Sequence, residues 1–355
     1  MSDIIHTENW GKYNGQEVYL YRLYNSNGVK VAITNFGASI QSIIVPDRSR
    51  KFDDVALGYD NLRGYIDDPF YMGAIVGRYA NRIAGGLVRL DGKEYQLTIK
   101  EGGFHHHGGK VGFNKKTWQS LPFTEGNNQG VKLEYLSPDG EEGFPGNLRV
   151  TVTYTLNDDD QLEVGFMAKT DKTTLLNLTQ HSYFNLAGYD AGSILNQTLM
   201  LPLNAYLPVN EMQVPNGQLA FVDGTPFDFR KPTAIGERID DDDEQLKLSN
   251  GYDHSWVIKN HHSSELKLAA TVTEPGNGRI INIYTTEPAI HLYTGNFLDG
   301  SLTGKSGANY NKRSGFCLET QHYPDSPNQP HFPGTVLRPG ETFTSKTIFE
   351  FAVSD

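Results

Sequence analysis

The 355-residue sequence reads as an all-β chain of large antiparallel sheets with little helix, and three observations carry that reading. Strand-forming segments recur at short intervals, with Gly, Asn, Asp and Pro between them. Leu148 to Leu156 alternates apolar and polar residues almost strictly, as a strand with one buried and one wet face requires. No stretch longer than a turn or two shows the 3.6-residue period of an amphipathic helix. Neither a repeat of fixed period, a Ser/Pro-rich linker nor a compositional break divides the chain, so residues 1–355 read as one domain of two large sheets packed face to face.

Glu17 to Pro46 opens the fold. Val18 to Tyr24 is rich in strand formers, Asn25-Ser26-Asn27-Gly28 is turn chemistry, and Val29 to Phe36 is β-branched again. Gly37 to Pro46 adds an apolar strand stopped by proline, whereas Gly58 to Gly77 mixes Gly, Tyr, Asp and Pro without period and reads as a long ordered loop. Val88 to Leu97 is a hairpin on the Asp91-Gly92 turn, and Gly102 to Gly112 is a Gly/His loop. Further strands are expected at Val131–Leu136, Leu148–Leu156, Leu162–Thr170, Thr198–Leu203, Glu265–Val272, Arg279–Tyr284 and Thr342–Val353.

The formal net charge of -11 is spread along the chain, which argues against nucleic acid or an anionic membrane as the main partner. The run Asp240-Asp241-Asp242-Asp243-Glu244 reads as a solvated loop. The single cysteine, Cys317, excludes an internal disulfide and sits in an apolar run as a small buried hydrophobe. With no basic n-region before an apolar h-region, and no apolar run near the roughly 20 residues of a membrane span, the chain reads as soluble and cytoplasmic.

Thr174 to Leu186 begins as an apolar strand and turns abruptly polar at Asn177, Thr179, Gln180 and His181. Buried polar groups cost about 1–3 kcal/mol each when orphaned, so such a cluster marks either a satisfied core histidine or a site. Four further clusters offer chemistry. Arg78, Asn81 and Arg82 could hold sugar hydroxyls or pair with acids at the surface. His105, His106 and His107 are adjacent, and neighbours on an extended segment point to opposite faces, so one inward hydrogen-bonding histidine is more economical than a metal cage. Asp253 and His254 form either an orienting pair beside aromatics or a turn, and Glu319 follows an apolar run where burial would raise its pKa toward that of a general base. No phosphate loop, dinucleotide fingerprint or Gly-x-Ser-x-Gly elbow is present. The residues by themselves amount to a carbohydrate enzyme using His and Glu.

Jointly, these motifs resemble the aldose 1-epimerase (mutarotase) family, of the galactose mutarotase type. The resemblance rests on Gly77-Arg78 with Asn81-Arg82, His107-Gly108-Gly109, Gln180 to Leu186, Tyr252-Asp253-His254, Tyr293 to Phe297 and Cys317 to Asp325, in the family's order over nearly the whole chain. It implies a single galactose mutarotase-like β-supersandwich and interconversion of the α and β anomers of free aldoses such as galactose or glucose, without metal or organic cofactor. It makes Glu319 the general base on the C1 hydroxyl and His181 the general acid on the ring oxygen. Asn81, Arg82, His107, Asp253 and His291 fall at sugar-binding positions. Two departures stand out: His291 lies where the family often has glutamine, and Phe104 and His106 fill places usually taken by Asn and Leu. The implied partner is a free monosaccharide, or a disaccharide, bound by a monomer or homodimer. The competing readings are a glycoside hydrolase using Asp253 and Glu319, whose carboxylates would stand about 5–9.5 Å apart, and a non-catalytic sugar-binding module. The discriminator is whether a histidine or a second carboxylate faces Glu319.

Overall fold

The computed structural model describes residues 5–100, 102–258 and 265–354. Three large antiparallel sheets organise them, where the sequence predicts two. The first, of five strands, runs in chain order: His6–Tyr13, Gln16–Tyr24, Lys30–Thr34, Ser39–Pro46 and Phe52–Asp54. The second has nine strands, in the order Gln119–Glu125, Asn128–Ser137, Leu148–Leu156, Gln161–Thr170, Phe343–Val353, Arg279–Thr285, Lys267–Thr273, Thr198–Met200 and Thr233–Ala234. The last long strand of the chain thus returns to the middle of this sheet, where both its neighbours bond it. The third sheet joins Ala220–Phe221, Ala205–Leu207, Asp253–Val257, Ala289–Tyr293 and Cys317–Gln321.

One apolar core joins the three sheets. It takes Leu23, Val31 and Ile33 from the first, Val150, Val152 and Phe349 from the second, and Trp256, Ile290 and Leu318 from the third. Burying side chains of this size is worth roughly 1.5–3 kcal/mol each. Polar ties cross the same layer: the Tyr154 hydroxyl donates to Ala38 O (2.8 Å), and Thr320 Oγ1 meets Thr347 Oγ1 at 2.6 Å.

The expected strands at Leu148–Leu156, Leu162–Thr170, Arg279–Tyr284 and Thr342–Val353 form to within a residue or so, as does the Asp91-Gly92 hairpin. Three segments differ. Gly58 to Gly77 contains a helix, Leu62–Asp67, and a strand, Ala74–Val76. The helix is capped by the Asn61 side chain accepting the Gly64 N–H, and at six residues it is too short to leave a periodic signature. Phe104–His106, expected as loop, is a short strand paired with Arg82–Ala84. The acidic run is not merely solvated: Asp243 caps the helix Glu244–Ser249 through the N–H groups of Gln245 and Leu246, and Asp240 pairs with Arg313 at 2.7 Å. Among the described residues, no helix is long and apolar enough to cross a membrane.

Candidate active site

Strand alternation builds the site. On the last three strands of the third sheet, Asp253–Val257, Ala289–Tyr293 and the edge strand Cys317–Gln321, Trp256, Ile290, Leu292 and Leu318 point into the core, so their neighbours Asp253, Ser255, His291, Tyr293, Cys317 and Glu319 share the other face. Antiparallel register sets Ser255 beside His291 and His291 beside Glu319, and Tyr293 lies between Asp253 and Cys317. His181 arrives on Thr179–His181, which pairs with Ala74–Val76, and Arg82 and His106 are register partners on a further two-stranded ribbon. These pieces enclose a cavity of about 250 Å³. Asn81, Arg82, His107, His181, Asp253, His291 and Glu319 all line it, together with Tyr71, Tyr183 and the half-exposed Phe297.

His181 Nε2 stands 3.5 Å from Glu319 Oε1, and the two side chains are only 5% and 2% exposed. Burial pushes the Glu319 carboxyl well above its ordinary range, with the Asp253 charge adding to the rise, and its Oε2 has no protein partner. Burial pushes His181 down to about 4. Burial thus pushes both groups toward their neutral forms, a protonated Glu319 beside an uncharged His181. Cys317 Sγ lies 3.6 Å from His181 Nδ1, and burial raises its pKa, so it stays a thiol.

Beside the pair, on the neighbouring strands, sits a network of fixed charges. Asp253 Oδ1 accepts from His291 Nε2 (2.7 Å) and Oδ2 from Arg82 Nη2 (3.2 Å). Burial works against the Asp253 charge, yet Arg82 and the His291 hydrogen bond hold its pKa well below the usual carboxylate range. The Ser255 hydroxyl meets His291 Nδ1 at 2.8 Å, so both ring nitrogens of His291 are engaged by protein. With Nε2–H donated to Asp253, the Asn81 amide at 3.5 Å from that nitrogen makes contact rather than a hydrogen bond and stays free toward the cavity. His254 points away from this network. Its Nδ1 accepts the Asp253 N–H and its ring packs on Phe227, so His291 rather than His254 orients the Asp253 carboxylate.

Asn81 and His107 brace one another. His107 Nδ1 accepts the Asn81 N–H (3.1 Å), the His107 N–H donates to Asn81 O (3.1 Å), and both residues have left-handed backbones, at φ +63° and +49°. Strained positions of this kind collect at sites. Of the three adjacent histidines, His106 and His107 reach the cavity, while His105 turns inward to Thr98 O and the Phe144 ring. Donor atoms of His107, His181 and Glu319 lie within 4.8 Å of one another. They suit proton traffic better than a metal, because the Asn81 N–H occupies His107 Nδ1 and leaves the proton on Nε2, so neither nitrogen offers a free lone pair.

Two residues of the site carry no sign in the sequence, one lining the cavity and one behind Arg82. Tyr71, with φ +61°, packs its ring 4.7 Å from His107 and 5.9 Å from His181, and its hydroxyl bonds Lys100 Nζ. Gln213 reaches Arg82 from a loop far along the chain, its Oε1 2.7 Å from Nη2.

The family model described as Aldose 1-epimerase matches residues 19–350. The chain belongs to the aldose 1-epimerase family. It is 46% identical over 329 residues to a galactose mutarotase of Bos taurus, covering 93% of each chain. It is 36% identical over 340 residues to an aldose 1-epimerase of Escherichia coli strain K12, covering 95% of this chain and 96% of that one. Among solved structures, a galactose 1-epimerase from Lactobacillus acidophilus NCFM superposes with a TM-score of 0.88 at 27% identity, over 99% of both chains. Seen as a family member, the chain keeps a histidine opposite Glu319, while its candidate second carboxylate, Asp253, is already committed to Arg82 and His291. That arrangement favours epimerase over hydrolase chemistry.

Proposed function

We propose that this chain interconverts the α and β anomers of a free aldose, galactose or glucose, by opening and closing the sugar ring. The observation that carries the reading is the His181–Glu319 pair, 3.5 Å apart and buried, with an acid and a base facing one another. With a proton on His181, the Glu319 carboxylate removes the C1 hydroxyl proton while His181 Nε2 protonates the ring oxygen. The C1–O5 bond breaks and C1 becomes an aldehyde. The pair is then left as neutral His181 and protonated Glu319, the state that burial favours. Rotation about C1–C2 presents the other aldehyde face, and closure runs the two transfers backwards. Each transfer is worth about 10²–10⁴-fold in rate.

Arg82, Asp253, His107 Nε2–H and the Asn81 amide hold the hydroxyls and fix the ring over the pair. His291 contributes by orienting Asp253 through its 2.7 Å bond. No step calls for a metal or organic cofactor. The chain acts as one cytoplasmic domain, as monomer or homodimer, with a monosaccharide or a disaccharide bearing a free reducing end as its partner.

Polarimetry on freshly dissolved α-D-galactose, in buffer with EDTA, tests this. Faster relaxation to the same final rotation is expected. Relaxation at the uncatalysed rate for galactose, glucose and maltose alike would overturn the proposal in favour of a binding module.

A further inference from the structure

The loop from Pro208 to Asn216 backs the cavity-lining Arg82 through Gln213 and is braced from within. The Asn216 N–H donates to Pro208 O (3.0 Å), and Asn210 Oδ1 accepts the N–H groups of Met212 (2.9 Å) and Val214 (3.2 Å). Gln245, in the first turn of the helix Glu244–Ser249, accepts the Val209 N–H (2.6 Å) and donates back to Val209 O (2.9 Å). At the tip, Gln213 takes φ +56°, an uncommon left-handed backbone for a residue with a side chain. Its Oε1 accepts from Arg82 Nη2 (2.7 Å), its carbonyl lies 3.4 Å from Arg82 Nη1, and its Nε2 donates to Leu248 O (2.9 Å).

An arginine facing a buried carboxylate ordinarily settles into a two-pronged pair. Arg82 does not. Its Nη2 is shared between Gln213 Oε1 at 2.7 Å and Asp253 Oδ2 at 3.2 Å, and its Nε is buried with no protein partner. We propose that Gln213 is a positioning residue: it holds the Arg82 guanidinium back from a bidentate pair with Asp253, which leaves Arg82 Nε–H and an Asp253 lone pair to bind neighbouring hydroxyls of the aldose. This rests on the reading of Arg82 and Asp253 as sugar-binding groups. The anchoring of Gln213 to Leu248 O ties the clamp to a capped helix, so the guanidinium is set before sugar arrives.

The test compares wild type, Gln213→Ala and Gln213→Met by two readouts: initial rates of α-D-galactose mutarotation, and galactose affinity by calorimetry. Met keeps the length and apolar stem of Gln but removes the acceptor. In both variants KM and Kd should rise roughly ten- to 150-fold, the range for losing a hydrogen bond to a charged group, with kcat within about threefold of wild type. An unchanged Kd in Gln213→Ala, or a Gln213→Met that regains wild-type affinity, would overturn the clamp. Calorimetry reads the clamp whether or not the protein turns over, so an inactive wild type would sink the epimerase reading alone.

Discussion

Buried 3.5 Å apart, His181 and Glu319 have ionisation shifts of opposite sign, and the signs make separate predictions. For Glu319 the folded pKa is raised above 4.5, so the native state binds a proton that the unfolded state gives up; stability is full below 4.5 and falls as pH rises. Glu319→Gln removes that loss. The variant should therefore be at least as stable as wild type in urea at pH 8, while its turnover drops by about 10²-fold or more with KM little changed. Near-normal turnover would remove Glu319 from the chemistry. For His181 the folded pKa is lowered, from 6.5 to about 4, so its contribution is full above 6.5 and is lost as pH falls through that window. The loss is about 3 kcal/mol for a shift of this size. Urea midpoints between pH 7 and pH 4 should decline less steeply in His181→Asn than in wild type. Arg82→Ala belongs at the same scale. It leaves Asp253 buried with His291 alone, and should raise KM far more than it lowers kcat, measured by galactose mutarotation.

Elements, rather than single side chains, set the wall facing the pair. The segment Asp68 to Met72 carries Phe70 and Tyr71 into the cavity and contains no stretch of regular structure to hold it. A single buried carboxylate does so: Asp68 Oδ1 accepts from the Tyr59 hydroxyl (2.8 Å) and the Phe70 N–H (3.0 Å), and Oδ2 from the Met72 N–H (2.7 Å). Lys115 Nζ fastens the same turn through Asp68 O at 2.6 Å. Asp68→Ala orphans several buried donors, so it should cost about 3 kcal/mol or more and lower the thermal midpoint by several degrees. Because the Tyr71 ring touches both His107 and His181, kcat and KM should worsen together, unlike the Gln213 variants; an unchanged kcat/KM would detach this loop from the site. Such a loop is hard to read in a sequence. The Leu148–Leu156 strand was legible because period 2 repeats over nine residues, and Gly58 to Gly77 was not, because its helix lasts six residues and its turn is held by a carboxylate from within. Tyr71 and Gln213 were missed for the same reason: their left-handed backbones and long-range partners leave no periodic trace.

At the scale of the whole molecule, core and cavity are opposite faces of the same strands. This explains why the site residues were legible when the sheet partition was not. His181, Asp253 and Glu319 interrupt apolar runs with polar groups, a local conflict that composition exposes. That the strands form three large sheets and not the expected two depends on which edges pair across long sequence separations, and no local pattern encodes that choice. The two-faced construction also makes stability and activity separable. Leu292 lies between His291 and Tyr293, fully buried on the core side, while both its neighbours line the cavity. Leu292→Ala should cost 2–5 kcal/mol, about the range for a cavity left by a buried leucine, and the loss should appear as a lower denaturant midpoint. Below its own unfolding transition the variant should keep kcat/KM within a few-fold of wild type, because the register that sets His291 beside Ser255 and Glu319 is held by backbone hydrogen bonds on both sides. His291→Ala should do the reverse. It strips Asp253 of its 2.7 Å partner at the cavity and should lower kcat/KM at least tenfold, roughly the worth of a hydrogen bond to a charged group, with a smaller change in midpoint. If Leu292→Ala lost activity in proportion to stability, the strands would be transmitting core strain to the site, and the separation of the two faces would fail.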